Sequence, residues 1–420
     1  MDDEKFISMD PCGDRPLERW SLVTVRDGEP DGLTRRAPPA LIEAVKNAAE
    51  VAPERPVGDQ PIVFRAPPVA GLPQEAMPRE HWVNVSASDL ILGGAEHQEA
   101  IRSALRRARY RALIHSTFIA EDRFNDLLPV LEAALNRGVK VDILWGQDPT
   151  SEGVRSTSEA VRRIKRSLEA DRFERLTIHP FSTRSHSKIL LSDEGSIDRF
   201  SAYIGSCNWL SSNYQSFEAT IRLRDPVIVA DVFDQMAELS KGARGHWTSL
   251  TNDLAALAVN LRAQRQSPRG RALASVVIGS RHADLVRQAR DESQQRFFVT
   301  SHRFGVAGQS AVLAPALAAA KFRGVTATVY YGTTSGPLGG NDVAELTREA
   351  FKDGVTIRAV RIPRIHAKML AWDDDAIVVT SQNWLSADPP DDKPRQEIGV
   401  FVRAPGLAST LIDRFNAALL

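Results

Sequence analysis

The chain has 420 residues, more than the ~100 to 200 of a typical domain, so two domains or one internally duplicated body are expected and a single small module is excluded. With 43% hydrophobic and 25% charged residues, the composition is that of a globular protein, which excludes wholesale disorder. Because 53 basic residues balance 53 acidic ones, a preference for nucleic acid or membrane has to come from local patches and not from net charge.

Cysteine content and the start of the chain predict a soluble cytoplasmic protein. Only Cys12 and Cys207 are present, too few for a disulfide framework or a cysteine-based zinc site, which favours a reducing compartment. Residues 1–5 (MDDEK) are acidic where a signal peptide is basic, and no apolar run approaches the ~18 residues that span a bilayer. We therefore expect no membrane partner.

The first 85 residues are predicted to be an N-terminal accessory region. Half of the 24 prolines fall within residues 1–80, and each proline fixes φ and removes a backbone donor, so regular structure should be sparse. We expect one helix around Ala40–Glu50 and a strand at Ile62–Arg65. The region either gates access or binds a protein partner, or it is a loosely packed extension with no function of its own.

From about Asp89 helical and strand patterns alternate, which indicates an α/β fold class. The alternation occurs twice: an apolar strand, a helix, a glycine suited to a helix C-terminus, a second strand and a further helix. These segments are Arg109–Phe118, Leu127–Asn136, Arg137–Trp145 and Ser158–Ala170, and then Gln294–Arg303, Val312–Ala320, Arg323–Tyr331 and Val343–Lys352. The long period predicts two homologous lobes, lobe one at residues 86–245 and lobe two at residues 246–420, with a helix at Leu250–Gln264 near the junction.

Each lobe carries the pattern H-x-K-x4-D, followed by S-x-N-W and a glutamate. The residues are His186, Lys188, Asp193, Ser206, Asn208, Trp209 and Glu218 in lobe one, and His366, Lys368, Asp373, Ser381, Asn383, Trp384 and Glu397 in lobe two. One copy of H-x-K-x4-D is a weak signal. Two copies with nearly equal histidine-to-glutamate separations, 32 and 31 residues, are not expected by chance.

The spacing within each motif predicts which side chains share a face. On a strand, residues two apart point the same way, so His and Lys share a face, and Ser and Asn share one on a neighbouring strand. One lobe then offers an imidazole, an ammonium, a hydroxyl and an amide to one oxyanion. Asp193 and Asp373 follow their histidines by seven residues, an odd number that favours a structural role, holding a loop or a basic residue, over a catalytic one.

Phosphodiester cleavage is the chemistry that two such sets would serve, because its transition state spreads negative charge that cations and amide donors stabilise. One imidazole can attack phosphorus as a nucleophile while the other, protonated, delivers a proton to the departing oxygen. We expect Glu218 and Glu397 to accept the remaining ring N–H of each histidine, although an exposed acid at a strand end is the alternative. The scheme requires no metal and no cofactor.

The duplicated signature resembles that of the phospholipase D superfamily over roughly residues 86–420. The resemblance implies a pseudo-twofold pair of α/β lobes, each a mixed β-sheet flanked by helices, with one active site at their interface. It also implies that the N-terminal motif supplies the nucleophile, which gives that role to His186 and the general acid role to His366. Lobe two has Thr380-Ser381 where the family usually has Gly-Ser, which puts a close backbone approach to phosphate in question there.

Substrate class has to be inferred from weaker signals. The S-x-N-W form resembles nuclease members of the family more than cardiolipin synthases, and no aromatic-tipped apolar insertion interrupts the motifs. Arginines outnumber lysines by 43 to 10, and arginine suits bidentate phosphate contacts. Substrate contacts are predicted at Arg106, Arg107, Arg163, Arg166, His115 and His302, with Ser116 and Ser301 beside the two histidines. The alternatives for these residues are solvated helix faces and internally satisfied polar groups.

The sequence thus favours a metal-independent DNA or RNA nuclease, acting in a defence or DNA-processing assembly. A phospholipase D or phosphatidyl transferase is the first alternative, and a catalytically idle nucleic-acid-binding subunit is the second. Both motifs lie in one chain, so a monomer is sufficient for one active site, and an oligomer is compatible with this organisation.

Overall fold

A computed structural model describes residues 21–26, 29–36, 79–146, 152–168, 174–241, 248–264, 270–386 and 397–419. The chain divides into two compact units, Met1–Met77 and Pro78–Leu420. In the first unit, strands β1 (Ser21–Arg26) and β2 (Glu29–Arg36) pair antiparallel. The helix and the strand predicted at residues 40–50 and 62–65 lie outside the described residues.

Within the described residues of the second unit, lobe one forms a seven-stranded mixed sheet in the order β4-β10-β9-β8-β5-β6-β7. Its strands are β4 (Leu90–Leu92), β5 (Arg111–Ser116), β6 (Lys140–Trp145), β7 (Leu176–Ile178), β8 (Ile189–Ser196), β9 (Arg199–Gly205) and β10 (Ala219–Leu223). Strands β5, β6 and β7 are parallel, and the other pairs are antiparallel. Helices lie between the parallel strands along the chain, and a short turn joins β8 to β9, as each kind of pairing requires.

Lobe two forms an eight-stranded sheet from the described residues, in the order β14-β13-β12-β15-β16-β17-β11-β3. Its strands are β3 (His81–Val83), β11 (Ala272–Ile278), β12 (Arg296–Phe304), β13 (Thr326–Thr334), β14 (Val355–Ala359), β15 (Met369–Trp372), β16 (Ala376–Thr380) and β17 (Ile398–Arg403). Without β3 and read in the reverse direction, this order is β11-β17-β16-β15-β12-β13-β14, which matches the order of lobe one strand for strand. Strand β3 pairs with β11, so the end of the predicted accessory region 1–85 is the edge of the lobe-two sheet.

The described residues also form nine α-helices. They are α1 (Gly94–Arg107), α2 (Glu121–Asn136), α3 (Glu152–Ser167), α4 (Pro226–Leu239), α5 (Ser249–Arg262), α6 (Arg281–Glu292), α7 (Ala314–Arg323), α8 (Gly340–Lys352) and α9 (Leu407–Ala417). The helix predicted near the lobe junction is α5, which the Thr248 side chain caps by accepting from Thr251 N at 3.0 Å. Helix α7 ends at Gly324 with φ of 71°, a left-handed conformation that favours glycine. A π-helical turn, Gln309–Leu313, leads into α7.

The two sheets share one apolar core. Its central cluster takes residues from both sheets and from α4, α5 and α9, among them Ile204, Ile221, Val379, Val400 and Leu411. Each sheet has one further apolar cluster on its outer side, beneath the flanking helices. Each fully buried aliphatic side chain contributes about 1.5–3 kcal/mol, so the shared cluster stabilises the arrangement of the lobes. The predicted α/β fold of two lobes is confirmed.

Candidate active site

The motif residues lie at strand ends and not within regular strands. His186 and Lys188 come directly before β8, and Asn208 follows the end of β9. Lobe two repeats this placement around β15 and β16. The His186 carbonyl accepts hydrogen bonds from the Thr117 hydroxyl at 3.0 Å and from Lys188 Nζ at 2.5 Å. The backbone therefore leaves the sheet ladder here, which differs from the expectation that the motif lies on a strand.

A backbone connection joins the lobes beside the motifs. Phe217, which precedes Glu218, donates its N–H to the Arg364 carbonyl at 2.8 Å. The Phe217 carbonyl in turn accepts from the N–H groups of His366 at 2.9 Å and Ala367 at 2.8 Å. The glutamate of lobe one is thereby held beside the histidine of lobe two.

Each motif histidine pairs with the glutamate of the other lobe. His186 Nδ1 lies 2.9 and 3.0 Å from the two carboxylate oxygens of Glu397. His366 Nδ1 lies 2.7 Å from Glu218 Oε1. Because a carboxylate only accepts, Nδ1 carries the proton and Nε2 is left with its lone pair. The geometry agrees with an orienting role for the glutamates, and the partner comes from the opposite lobe.

The motif serines hold the glutamates. Ser206 Oγ donates to Glu218 Oε2, and Ser381 Oγ donates to Glu397 Oε2 at 2.5 Å. Both hydroxyls are fully buried. They therefore fix the carboxylates and do not face an oxyanion, which differs from the expectation for these residues.

Both motif lysines are buried. Lys188 Nζ donates to Thr117 Oγ1 at 2.9 Å in addition to the His186 carbonyl. Lys368 Nζ donates to the His366 carbonyl at 2.6 Å. Two ammonium groups are thus held beside the two histidine–glutamate pairs.

A cavity of about 370 Å³ opens onto this arrangement. Its lining includes Asn208, Ser212, Asn213, Glu218, Arg364 and His366. The Oδ1 atoms of Asn208 and Asn383 are buried, and no described residue supplies them with a hydrogen bond. A buried polar atom without a protein partner is costly unless a bound molecule satisfies it, so both amides suit a ligand or water.

The fold and the family of the chain follow from comparison with known proteins. The family described as "Cardiolipin synthase, PLD-like domain" matches residues 101–240, which contain the lobe-one motif. The phosphatidylserine synthase of Haemophilus influenzae Rd KW20 has the same fold, with a TM-score of 0.54 at 14% identity, over 80% of this chain and 86% of that one. Residues 101–240 thus match a phospholipase D-like family, and the fold shared with the phosphatidylserine synthase extends over most of the chain.

Two further solved structures overlap with this chain. The polyphosphate kinase of Porphyromonas gingivalis has a TM-score of 0.47 at 14% identity, over 81% of this chain and 50% of that one. The phospholipase D family member Nuc of Salmonella typhimurium has a TM-score of 0.27 at 20% identity, over 34% of this chain and 93% of that one. A search of curated proteins finds no match. Across the described residues, no helix has the length and apolar content needed to cross a membrane.

Burial keeps the histidines of the phospholipase D-like site neutral near pH 7. Desolvation lowers the pKa of His186 to about 4, with Glu397 opposing the shift and Lys188 and Lys368 adding to it. The pKa of His366 is lowered for the same reason, with Glu218 opposing. Each histidine is thus within electrostatic reach of the lysine of the other lobe, as expected of one shared site.

The lysines and glutamates of the site shift each other's pKa values. Burial lowers the pKa of Lys188 to about 7 and that of Lys368 to about 8, with the two glutamates opposing. Burial acts to raise the pKa of Glu218 and Glu397, but the neighbouring histidine and lysine outweigh it and bring both to about 2. The carboxylates are therefore ionised throughout the physiological range.

The motif aspartates lie at the far ends of their strands and hold loops. Asp193 accepts hydrogen bonds from the backbone N–H groups of Arg109, Tyr110, Arg111 and Gly195. Asp373 accepts from those of Gln294, Gln295 and Arg296. These bonds fix the chain where it enters β5 in lobe one and β12 in lobe two. This placement agrees with a structural role and not with a catalytic one.

Three of the four polar residues predicted in β5 and β12 are satisfied internally. His115 is fully buried, and its ring nitrogens lie 2.7 Å from the Ser187 carbonyl and 2.7 Å from Thr183 Oγ1. The Ser116 and Ser301 hydroxyls donate to backbone carbonyls two residues on. His302 differs, because its ring lies against His366 with centroids 4.9 Å apart. Of these four residues predicted at or beside substrate contacts, the structure brings only His302 to the site.

The arginines predicted to bind substrate do not line the catalytic cavity. Arg106 pairs with Glu99, and Arg107 lies 3.7 Å from Glu194. Both end helix α1, before β5, whereas Thr117 follows the other end of that strand. A six-residue strand at ~3.3 Å per residue therefore separates them from the site by about 20 Å.

Helix α3 carries the other two predicted arginines. Arg163 pairs with Glu121 at 2.6 Å and lines a second cavity, next to the catalytic one. Arg166 is exposed and lines neither cavity. Helix periodicity predicts that both side chains point outward, but it does not predict which end of the sheet they reach.

The threonine that departs from the family pattern is accommodated across the sheet. Thr380 pairs with Gly399 on β17, whereas in lobe one Gly205 pairs with Thr220. A Cβ at Gly399 would lie 2.7 Å from Thr380 Cβ, so only one of the two positions has room for a side chain. Thr380 is buried and bonds to His282 at 2.8 Å, so its side chain points into the core and does not obstruct phosphate.

Sequence reasoning missed several residues at and near the site. Thr117 binds Lys188, and the buried His97 and His282 each bond to a core threonine. Arg364 lines the catalytic cavity, and the charge of Arg303 lowers the pKa of Lys368. One signal was available for Arg364, since an arginine precedes each motif histidine by two residues. The positions of the other residues could not be predicted without the register of β5 and β12 in their sheets.

Proposed function

We propose that this protein is a metal-independent phosphodiesterase that cleaves nucleic acid through a covalent phosphohistidine intermediate. One observation carries the proposal: two neutral histidines, each held by the buried glutamate of the other lobe, lie beside two buried lysines. Such a set supplies a nucleophile, an acid and positive charge from the chain itself.

In the first step, His186 Nε2 attacks phosphorus while the bond to the leaving oxygen breaks. His366 becomes protonated when the anionic substrate binds, because nearby negative charge raises the pKa of an imidazole. It donates that proton from Nε2 to the leaving oxygen, and an alcohol departs. The lysines stabilise the charge on the equatorial oxygens. Glu397 stabilises the positive charge that develops on His186 as the nitrogen–phosphorus bond forms.

In the second step, water attacks the phosphohistidine. His366, now neutral, accepts a proton from the water while the nitrogen–phosphorus bond breaks. The products are a phosphate monoester and free His186, and His366 ends protonated as before the first step. The two histidines need different protonation states at the same moment, which the separate glutamates and the substrate charge provide.

Nucleic acid is proposed as the substrate because exposed arginines stand near the lobe-two half of the site. Arg364 lines the catalytic cavity, and Arg303 lies within electrostatic reach of Lys368. A cytoplasmic location and a protein partner for the N-terminal region belong to the same proposal and rest on sequence alone. Both half-sites lie in one chain, so a monomer would be complete.

Phosphatidyl transfer is the second candidate, because the matching family description names cardiolipin synthase. In that reaction an alcohol replaces water in the second step and the same phosphohistidine forms. Incubation with phosphatidylglycerol vesicles, followed by analysis of released glycerol and newly formed cardiolipin, separates the two candidates.

The deciding experiment uses labelled single-stranded and double-stranded DNA and RNA in excess chelator. Wild type is compared with His186→Ala and His366→Ala. We expect cleavage by wild type alone, at a rate that the chelator does not change. Loss of cleavage in chelator would contradict the metal-independent mechanism, and lipid turnover without nucleic-acid cleavage would select the second candidate.

A further inference from the structure

The two half-sites differ at two neighbouring pairs of equivalent positions. The register of β5 against β8 and of β12 against β15 makes Thr117 and Phe118 the counterparts of His302 and Arg303. Lobe one therefore presents a hydroxyl and an aromatic ring where lobe two presents an imidazole and a guanidinium. The catalytic residues are duplicated, but their surroundings are not.

The lobe-two half of the site carries positive charge that the described residues do not neutralise. Arg303 and Arg364 are both exposed. Across the described ranges, no carboxylate forms an ion pair with either guanidinium. Arg364 lines the catalytic cavity together with His366.

The lobe-one half differs in shape and in where its charge lies. Arg184, the counterpart of Arg364, is also exposed and has no ion pair among the described residues, but it lines neither cavity. Arg123 pairs with Asp122 and Asp126, and Arg163 pairs with Glu121, so these guanidinium groups are neutralised. A second cavity of about 670 Å³ adjoins the catalytic one and shares some of its lining residues, Ala120, Asp122 and Ser211. The rest of its lining is mainly apolar or hydroxyl-bearing and includes Phe118, Gly153, Ser156, Thr157 and Ala160.

We propose that the site binds its substrate in one direction, with a phosphate next to the scissile one on Arg303 and Arg364 and a nucleoside in the lobe-one cavity. This inference rests on the proposed nuclease function and names the parts of the substrate that each half-site binds. Guanidinium groups bind phosphate oxygens through paired N–H donors. A partly exposed aromatic ring such as Phe118 is a surface on which a base stacks. One end of the strand would then always face His366.

The experiment separates binding of the strand from chemistry at the scissile phosphate. The full chain with His186→Ala, which prevents turnover, is titrated with a fluorescent single-stranded 12-mer while anisotropy is followed at several salt concentrations. Arg303→Gln and Arg364→Gln are each added to this background. Arg184→Gln is the matched control, since Arg184 precedes His186 as Arg364 precedes His366. Arg348→Gln, on α8, is a remote control.

We expect the two lobe-two substitutions each to weaken binding about tenfold at low salt and to reduce the slope of log K against log salt by about 0.7, the value for one phosphate contact to a single strand. The Arg184 and Arg348 variants should keep the wild-type slope. Phe118→Ala should weaken binding about tenfold through lost stacking, without changing the slope.

The same arginine substitutions are made in the active protein and assayed with bis(4-nitrophenyl) phosphate. This diester has no second phosphate, so its turnover should fall much less than the strand affinity does. Urea midpoints close to that of wild type would show that the variants fold. Unchanged strand affinity in the lobe-two variants, or an equal loss in the Arg184 variant, would overturn one-directional binding while leaving nuclease activity standing. Hydrolysis of the small diester by a wild type that neither binds nor cuts any strand would instead refute the nuclease function, and the assignment of the arginines with it.

Discussion

Lobe one and lobe two have the same strand order and the same motif, yet they differ in the residues that contact the motif side chains. Thr117 binds the lysine of lobe one, whereas its counterpart His302 packs against the histidine of lobe two. The motif residues are duplicated, and the residues that surround them differ between the lobes. A symmetric scaffold can thereby give two histidines unequal roles.

Replacing each motif histidine in turn should have the largest effect and should show whether the two lobes have different roles. His186→Ala should abolish both turnover and the acid-labile covalent intermediate. His366→Ala should lose about 10²–10⁴-fold with alkyl leaving groups, because the leaving oxygen then receives no proton. With bis(4-nitrophenyl) phosphate, whose leaving group needs no proton, the His366 variant should still give a burst of nitrophenol and a trapped phosphohistidine. A burst from the His186 variant instead would reverse the assigned roles.

The crossed glutamates give the next largest effect. Glu397→Gln and Glu218→Gln should each lower kcat about 10–100-fold, because the paired imidazole loses its orientation and the carboxylate that stabilises its charged form. The effects should be coupled across the lobes. In double-mutant cycles on the His366→Ala variant, Glu218→Gln should add little, whereas Glu397→Gln should add its full effect. Coupling within a lobe would be inconsistent with the crossed pairing.

Acid stability provides a test of the buried imidazoles. The pKa of His186 is about 4, and burial lowers those of His115 and His302 to about 3. Since an unfolded histidine titrates near 6.5, the unfolded chain binds more protons between these values, and stability falls as pH drops below about 6.5. Urea midpoints from pH 7 to pH 5 should show this loss, with a shallower slope in His302→Gln. A flat profile would show that these imidazoles are not held neutral.

Threonine and glycine occupy opposite strands in the two lobes, so we expect the effects of replacing Thr380 and Gly399 on stability to depend on each other. Gly399→Thr should destabilise by about 1–3 kcal/mol, because its Cβ would clash with Thr380. Thr380→Gly should cost about 1 kcal/mol through its lost hydrogen bond to His282. The double variant restores the lobe-one arrangement and should be more stable than Gly399→Thr alone, as measured by urea unfolding. A strictly additive loss would contradict the steric explanation.

The motif aspartates should give the smallest effect and no change in mechanism. Asp193→Asn should cost about 2 kcal/mol, because the buried carboxylate accepts four backbone N–H bonds. Asp373→Asn should cost about 1 kcal/mol, since that carboxylate is more exposed and asparagine tolerates its φ of 50°. Unfolding curves measure both losses, and kcat should stay at the wild-type value. A fall in kcat without loss of stability would assign the aspartates to the chemistry.

Sequence by itself determined which residues form the candidate site and that they occur twice. The spacing of His186, Lys188 and Asn208 and its repetition at His366 are properties of order along the chain. Strand and helix periodicity likewise predicted the α/β lobes, because alternation and 3.6-residue repeats are local signals.

Only the tertiary structure decided which partners meet. Glu397 lies 211 residues from His186, and no local pattern shows that its carboxylate crosses the interface while Glu218 crosses the other way. The arginine clusters show the same limit: Arg106 lies in a conspicuous basic run yet lies at the far end of β5 from the site, whereas Arg364, just ahead of the second motif, lines the cavity. Periodicity tells which face of an element a side chain occupies. The packing of two sheets through a shared core determines which ends of those elements come together.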